Sequence, residues 1–230
     1  MTAFRTDDRE VHPPLYSPDY RSTRLRVPRA APIPWPQDVS ELTGPDFRGL
    51  NLVESDWDLT RQAEGEPLGE RISVSGRIVD EDGRPLPGQL IEIWQANAAG
   101  RYAHPVDQHA APLDPNFSGV GRCMSDAEGR YRFVTIKPGA YPWQNHANAW
   151  RPAHVHFSLF GPAFATRLVT QMYFPGDPLL ELDPIYLSVP AHARERLIAR
   201  FDLETTQPEW ALGYRFDLVL RGREATPRGL

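Results

Sequence analysis

The segment that decides the fold reads "RPAHVHFSLF" and runs from Arg151 to Phe160. Successive side chains of a β-strand point to opposite faces, so the apolar residues at 153, 155, 157 and 159 would share one face and His154 and His156 the other. The apolar face predicts a strand that covers a core. The two imidazoles would lie about 7 Å apart along the strand, within reach of one metal ion. Histidines on strands also serve in packing alone, so the pair by itself is weak evidence for a metal.

Short alternating segments recur along the chain from residue 71 onward. Turns rich in glycine and proline separate them, and they read "RISVSGRIVD" (71–80), "QLIEIWQAN" (89–97), "GRYRFVTI" (129–136), "TRLVTQMYF" (166–174) and "GYRFDLVLRG" (213–222). Many short strands with such turns predict an all-β fold, an antiparallel β-sandwich. Between the last two strands, "PAHARERLIARF" (190–201) has apolar residues at helical spacing and predicts one short helix.

The first 65 residues differ in character from the rest. They are crowded with prolines, carry several aromatic residues and keep no helical or alternating period. Such a segment cannot build a core of its own. We therefore expect 1–65 to be an irregular arm that packs on a partner chain, and 66–230 to be the sandwich. Two long segments of that sandwich, 102–122 and 137–153, are predicted loops of the length that commonly carries function.

Composition excludes several classes of protein. Of the 230 residues 40% are hydrophobic and 24% charged, as in soluble globular proteins. A net charge of -5 with scattered basic residues gives no nucleic-acid footprint. The single cysteine, Cys123, excludes an internal disulfide and thiolate-rich metal sites. No signal peptide or membrane span is apparent, so a cytoplasmic, soluble protein is expected.

Long, irregular motifs carry a resemblance to a known family. In chain order they are "SPDY" (17–20), "TGPDF" (43–47), "APLDPNF" (111–117), "GVGR" (119–122), "YPW" (141–143), "WRPAHVHF" (150–157), "QMYFPGDP" (171–178) and "YRFDLVLRG" (214–222). With these motifs the chain resembles the iron-bearing β-chain family of the intradiol ring-cleaving dioxygenases that act on protocatechuate. The resemblance covers nearly the whole chain.

The resemblance implies a metal site. In that family one non-haem Fe(III) ion is bound by two tyrosinates and two histidines, which correspond here to Tyr102, Tyr141, His154 and His156. A solvent hydroxide would take the fifth position. Phenolate is a hard oxygen ligand that suits the hard ferric ion. Free tyrosine titrates near pH 10, but a trivalent ion would make the phenolate the stable form at neutral pH.

Further residues are implied by the same resemblance. Arg151 would stabilise negative charge that develops during the reaction, Tyr141 would be the ligand that substrate displaces, and Gln171 would hydrogen-bond Arg151 or the ligands. Residues implied in the substrate pocket are Tyr20, Trp143 and Ile185. His109 stands where relatives often have tyrosine, and we expect it to affect substrate preference.

The implied activity is cleavage of protocatechuate (3,4-dihydroxybenzoate) by O₂ to 3-carboxy-cis,cis-muconate, in aromatic catabolism through the β-ketoadipate pathway. No nicotinamide or flavin is needed. The implied partner is a homologous, metal-free α chain in a large αβ hetero-oligomer. Two alternatives stay open: a catechol or hydroxyquinol 1,2-dioxygenase, or a non-catalytic, transthyretin-like binding domain. The presence of all four candidate ligands argues against the binding domain, and the Pro-rich arm argues against the other dioxygenases, which carry a helical N-terminal domain.

Overall fold

The structure, a computed structural model, describes residues 9–33, 44–47, 49–161 and 164–229. The remaining parts of the predicted arm, 1–8, 34–43 and 48, lie outside the described residues. None of the helices in the described ranges is long and apolar enough to cross a membrane.

The first sheet is built around strand β1 (Arg71–Val79). On one side β1 pairs antiparallel with β4 (Arg130–Ile136). On its other side it pairs, in parallel, first with β10 (Leu212–Arg215) and then with β11 (Leu218–Val219). Strand β9 (Arg200–Phe201) pairs antiparallel with β10 and forms the edge.

The second sheet is antiparallel throughout, in the order β3-β2-β7-β8. Its strands are β2 (Leu90–Gln95), β3 (Val120–Met124), β7 (His154–Gly161) and β8 (Phe164–Tyr173). Strand β7, predicted from its alternation, therefore lies in the middle of the sheet between β2 and β8.

The core fills the space between these two sheets. Strands of both sheets contribute apolar residues to it, among them Ile72 and Val74 of β1, Ile91 and Ile93 of β2, Phe133 of β4, and Val155, Phe157 and Leu159 of β7. All of these are fully buried. Burying a side chain of this size contributes about 1.5–3 kcal/mol each, which fixes the register of β7. The predicted β-sandwich is confirmed, with two parallel pairings added to the expected antiparallel ones.

Short elements complete the chain. The α-helices are α1 (Thr23–Arg26), α2 (Glu54–Trp57) and α3 (Pro184–Ser188). Turns of 3₁₀-helix cover Arg9–Val11, Leu59–Arg61, Pro178–Leu182 and Ala191–Leu197. A two-stranded ribbon joins β5 (Tyr141–Pro142) to β6 (Trp150–Arg151) inside the second predicted loop.

Three details differ from the prediction. The segment predicted as a helix, 190–201, forms 3₁₀ turns over Ala191–Leu197 and then strand β9. Strand β3 lies partly inside a segment predicted as loop. The last predicted strand is broken between β10 and β11, because the carbonyl of Phe216 turns toward Gly76, where an added Cβ would meet it at 1.9 Å.

The end of the predicted arm packs on this chain's own sandwich. Leu59 is fully buried against Phe117 and Ile136, and Asp58 bridges to Val134 of β4. Residues 58 and 59 therefore contact the sandwich, and the boundary at residue 65 stays a prediction. Packing of the earlier part on a partner chain stays a prediction.

Candidate metal centre

Sheet register brings side chains from three strands together on the outer face of the second sheet. His156 of β7 pairs with Trp94 of β2 on one side and with Gln171 of β8 on the other. Two residues earlier on β7, His154 pairs with Tyr173 of β8. These residues face away from the core, because the intervening residues of β7 are the ones that fill it.

The two histidines converge. Their Nε2 atoms lie 3.2 Å apart, closer than the strand spacing alone would bring them. His154 Nδ1 lies 2.7 Å from the carbonyl oxygen of Pro152, which can only accept, so Nδ1 carries the proton and Nε2 the lone pair. The ring of His156 stacks on Trp94 with centroids 4.7 Å apart and planes 3° from parallel.

Burial keeps both imidazoles neutral. It lowers the pKa of His154 well below the ordinary value, and the neighbouring Arg151 and His156 lower it further. Burial, followed by Arg151, lowers the pKa of His156 to about 3. Neutral imidazole is the form that binds a metal ion.

Two tyrosines approach the histidine pair from separate loops. Tyr141 begins β5, where it pairs with Arg151, and its ring lies 5.5 Å from that of His154. Tyr102 lies 5.3 Å from Tyr141, edge to face, and 6.4 Å from His156, centroid to centroid. The backbone N–H of Tyr102 donates to Asp107 Oδ2 at 2.7 Å, which anchors the loop that carries it.

These side chains fit a metal ion. Among the described residues no group of three or more His, Cys, Asp or Glu could hold one, so the histidine pair needs ligands of another type. Tyr102 Oη is buried and has no hydrogen-bond partner in the described chain. Burial, and then the nearby Tyr141, raises the pKa of Tyr102 well above its ordinary value. An unpaired buried hydroxyl is costly, and a bound cation would both satisfy it and favour its phenolate form.

Arg151 lies behind the centre in a closed network. It is 3% exposed, and its Nη2 donates to Gln171 Oε1 at 2.6 Å, Asp183 Oδ2 at 2.9 Å and Tyr173 Oη at 3.0 Å. Its Nη1 faces the centre, 3.1 Å from His154 Nε2 and 3.5 Å from Tyr141 Oη. Burial alone would lower the pKa of Arg151, but Tyr173 and Asp183 outweigh it, so the guanidinium stays charged.

A cleft of about 990 Å³ opens onto this group of side chains. Tyr102, Tyr141 and His156 line it, together with Trp143 and His109. This volume is ample for a single aromatic ring with its substituents.

The arm reaches the cleft wall. Tyr20 packs on Trp143 with ring centroids 5.5 Å apart, and the guanidinium carbon of Arg151 lies 5.8 Å from the centroid of Trp143. Asn145, which is buried, accepts from the backbone N–H of Arg21 and donates to the carbonyl of Asp19. These two bonds tie the arm to the loop that carries Tyr141.

Ile185 is not brought to the cleft. It is buried in α3, and with Gln171 and Tyr173 it lines a small separate cavity. His154 and Gln171 also lie beneath the cleft wall rather than on it. Ile185 as a pocket wall stays a prediction.

Sequence reasoning missed several residues of this site: Trp94, Tyr173, Asp183, Asp107 and Asn145. Trp94 could have been found from the pairing of "LIEIW" with "HVHF", once these two strands are placed side by side. Asp183 lies 32 residues after Arg151, and only the "DP" that often begins a helix marks it.

Comparison with known proteins gives consistent results. The model of the family described as "Dioxygenase" matches residues 42–222, and that described as "Protocatechuate 3,4-dioxygenase beta subunit N terminal" matches 4–38. The protocatechuate 3,4-dioxygenase beta chain of Burkholderia cepacia is 62% identical over 98% of this chain and 97% of its own length.

More distant relatives match a part of their length. Hydroxyquinol 1,2-dioxygenase of Rhizobium sp. is 33% identical over 64% of this chain, which spans 50% of that protein. The crystal structure of catechol 1,2-dioxygenase from Pseudomonas arvilla C-1 superposes with a TM-score of 0.53 at 26% identity, covering 75% of this chain and 59% of that one.

Proposed function

The chain belongs to the dioxygenase family that includes the protocatechuate 3,4-dioxygenase beta chain, and from this premise we propose that it is the catalytic chain of an enzyme that cleaves protocatechuate. The ring opens between its two hydroxyl-bearing carbons, and both atoms of O₂ enter the product, 3-carboxy-cis,cis-muconate. The observation that carries the proposal is the convergence of Tyr102, Tyr141 and His156, which line one cleft, with His154, whose Nε2 lies 3.2 Å from that of His156.

These four side chains would hold one non-haem ferric ion. Phenolate oxygen and neutral imidazole nitrogen form a donor set that suits Fe(III), and the unpaired hydroxyl of Tyr102 is satisfied when it binds. When bound, the ion would supply a Lewis-acidic centre for the catechol oxygens and would leave the ring electron-rich toward O₂.

The chain orients its ligands before any ion binds. The carbonyl of Pro152 fixes the tautomer and ring plane of His154, and Trp94 fixes the plane of His156. Asp107 holds the backbone of Tyr102. Tyr141 lies at the start of a ribbon only two residues long in each strand, so it is the ligand best able to move. If Tyr141 gave way to substrate, its Oη would accept one of the two catechol protons, and the solvent hydroxide of the implied site would accept the other.

Arg151 supplies a fixed positive charge. Its Nη1 faces Tyr141 Oη and His154 Nε2, two of the atoms that would bind the ion. A buried cation in a water-poor site stabilises negative charge that develops on the substrate more strongly than a solvated one does. Gln171 accepts from Nη2 and so helps to orient the guanidinium.

The aromatic walls of the cleft suit a flat ring. Trp143 forms one wall and is backed by Tyr20 of the arm, which we propose faces the substrate carboxylate. His109 lies across the cleft, edge-on to Trp150 with centroids 6.0 Å apart. We propose that His109 affects which ring substituents are accepted.

The partner is a homologous α chain. The Burkholderia cepacia relative is named a beta chain, and the family model for that N-terminal segment matches residues 4–38 here. We propose a large αβ assembly in which the α chain contributes to the wall of the cleft.

A substrate panel tests the proposed function. The chain, co-expressed with its α chain and loaded with iron, is assayed for O₂ uptake and product with protocatechuate, catechol and hydroxyquinol. We expect a kcat/KM for protocatechuate at least about tenfold above the other two, because a recognised carboxylate is worth more than 1.4 kcal/mol. A preference for catechol or hydroxyquinol would favour the other dioxygenases. Absence of O₂ uptake with all three would contradict an enzymatic function.

A further inference from the structure

Asp183 is a buried carboxylate with no role in the mechanism so far. It is 0% exposed, although carboxylates are almost never fully buried unless paired. Its Oδ2 lies 2.9 Å from Arg151 Nη2, in an ion pair whose two side chains are 4% and 0% exposed. Tyr173 Oη also donates to Oδ2, at 3.3 Å.

Local structure fixes the orientation of this carboxylate. Asp183 is the N-cap of α3, and its Oδ1 accepts from the backbone N–H of Ile185 at 3.1 Å. Pro184 follows it at the first helical position. With one oxygen used by the helix and the other by Arg151, the side chain cannot rotate without breaking one of the two interactions.

The arrangement divides the guanidinium of Arg151 into two ends. Nη2 is occupied by Gln171, Tyr173 and Asp183, whereas Nη1 is left facing His154 and Tyr141. Of the acceptors on Nη2, Asp183 is the one with a full negative charge. It therefore offsets a cation buried beside a site that would hold a second cation.

We propose that Asp183 is the positioning residue for Arg151, holding Nη2 so that Nη1 faces the substrate side of the centre. The proposal rests on the proposed function for its catalytic consequence, but the pairing itself can be tested without turnover. Removing the charge on Asp183 leaves Nη2 with only the neutral acceptors Gln171 and Tyr173, so the guanidinium is held less firmly and kcat falls, while substrate binding changes less.

The variant that tests this is Asp183→Asn, with Asp58→Asn as its matched control. Asparagine caps helices as well as aspartate does, so α3 keeps its cap. Asp58 is likewise a buried N-cap, of the 3₁₀-helix Leu59–Arg61, and its Oδ2 lies 3.4 Å from Arg61 Nε, away from the metal centre. Both variants are made in the chain co-expressed with its α chain.

In Asp183→Asn we expect kcat for protocatechuate to fall about 10- to 100-fold, since a small misplacement of a positioned group costs this much. KM should change by less than about threefold, and iron content and the visible absorption of the ferric site should stay near those of the wild type. Asp58→Asn should keep its kcat within about twofold of the wild type. A kcat in Asp183→Asn that is also within twofold of the wild type would overturn the proposal.

A double-mutant cycle separates positioning from general damage. In an Arg151→Ser background, adding Asp183→Asn should lower kcat by less than about twofold, because coupled residues are not additive. An equal loss in both backgrounds would contradict the proposal. If Asp183→Asn fails to fold, Asp183→Glu keeps the charge but displaces it by one methylene. That variant should also lose kcat at nearly constant KM, and wild-type turnover in it would overturn the proposal.

The same double-mutant cycle, measured by melting temperature (Tm), distinguishes failure of this inference from failure of the proposed function. Asp183→Asn should lower the Tm by on the order of 10 °C in the wild-type background, because it breaks a buried ion pair, and by much less when Arg151 is already serine. This readout needs no substrate. Coupled melting temperatures with no ring cleavage in any variant would contradict the proposed function alone, whereas uncoupled ones would overturn the pairing.

Discussion

His156 is one of the four proposed iron ligands, and we expect iron retention to depend on it. Its ring is clamped on Trp94 and open to the cleft, so its Nε2 is available to an incoming ion. We expect His156→Ala to lose most of its iron and its visible colour, because one of four protein ligands is gone. Metal analysis and absorption spectra of the purified variant measure this.

The matched control is His146→Ala, in the loop that precedes strand β7. His146 is exposed, and its Nδ1 contacts only the carbonyl of Ala147, at 2.7 Å. This variant should keep its iron. Full iron occupancy in His156→Ala would remove His156 from the ligand set.

Arg151 is expected to act on turnover rather than on iron binding. Arg151→Ser should lower kcat by about 10²–10³ while iron content stays near normal, since a preorganised charge near the reacting atoms is lost. Arg151→Lys should restore little of it, because an ammonium cannot serve two ends of the network at once. Steady-state kinetics with parallel iron analysis is the measurement.

An exposed arginine serves as the control for the Arg151 variants. Arg167 pairs with Glu92 at 3.4 Å on the surface, with both side chains nearly half exposed. Arg167→Ser should turn over at the wild-type rate. A kcat in Arg151→Ser close to that of Arg167→Ser would reduce Arg151 to a structural role.

At the level of single residues, the sequence predicted those site residues that lie in a recognisable local pattern or motif. His154 and His156 followed from strand alternation, and Tyr102, Tyr141 and Arg151 from motifs read as a resemblance. Asp183 and Tyr173 were missed, because their position beside Arg151 depends on how β6, β8 and α3 pack together, and no short motif encodes that.

Among the elements, the loop of Tyr102 and the loop of Tyr141 are joined at a glycine. Gly100 has φ +77°, and an added Cβ would lie 2.1 Å from the carbonyl oxygen of Ala140, the residue before Tyr141. Gly100→Ala should therefore push the two loops apart. We expect a lower Tm and weaker iron retention, measured by thermal unfolding and by iron content after dialysis against a chelator.

Gly83→Ala controls for backbone strain. Gly83 has φ +78°, almost the same value, but nothing lies within 4 Å of its added Cβ. It should lose about 1 kcal/mol of stability from the unfavourable φ alone and keep its iron. Equal loss of iron in the two variants would show that close approach at Gly100 has no part in placing the tyrosines.

The elements also show where sequence patterns stop being informative. Strand β7 was predicted well, because every second residue is apolar and fully buried. Strand β3 was missed, because Val120 is 59% exposed and Gly121 has no side chain to continue an alternation. The break between β10 and β11 depends on Gly76 in a distant strand and leaves no mark in "GYRFDLVLRG" itself.

In the whole molecule, the described part of the arm contacts the sandwich at several points, and near residue 20 it reaches the cleft. Asn145 and Trp143 fix residues 19–21, while large apolar side chains elsewhere on it point to solvent. Leu25 is 93% exposed, Ile33 86% and Leu15 51%. Exposed apolar side chains gathered on one segment indicate a surface that another chain covers.

We expect this chain to need its α chain for solubility and for binding protocatechuate. Ordering the arm costs roughly 1–2 kcal/mol per residue in backbone entropy, and its exposed apolar side chains, such as Leu25 and Ile33, do not help to offset that cost until a partner covers them. Expressed alone, the chain should aggregate or bind protocatechuate poorly, and co-expression should yield a large αβ assembly. Size-exclusion chromatography with light scattering compares the two.

Leu25→Asp should weaken assembly, whereas Leu203→Asp, at a sandwich position 75% exposed, should not. A stable monomer that cleaves protocatechuate at the full rate would show that the partner is dispensable.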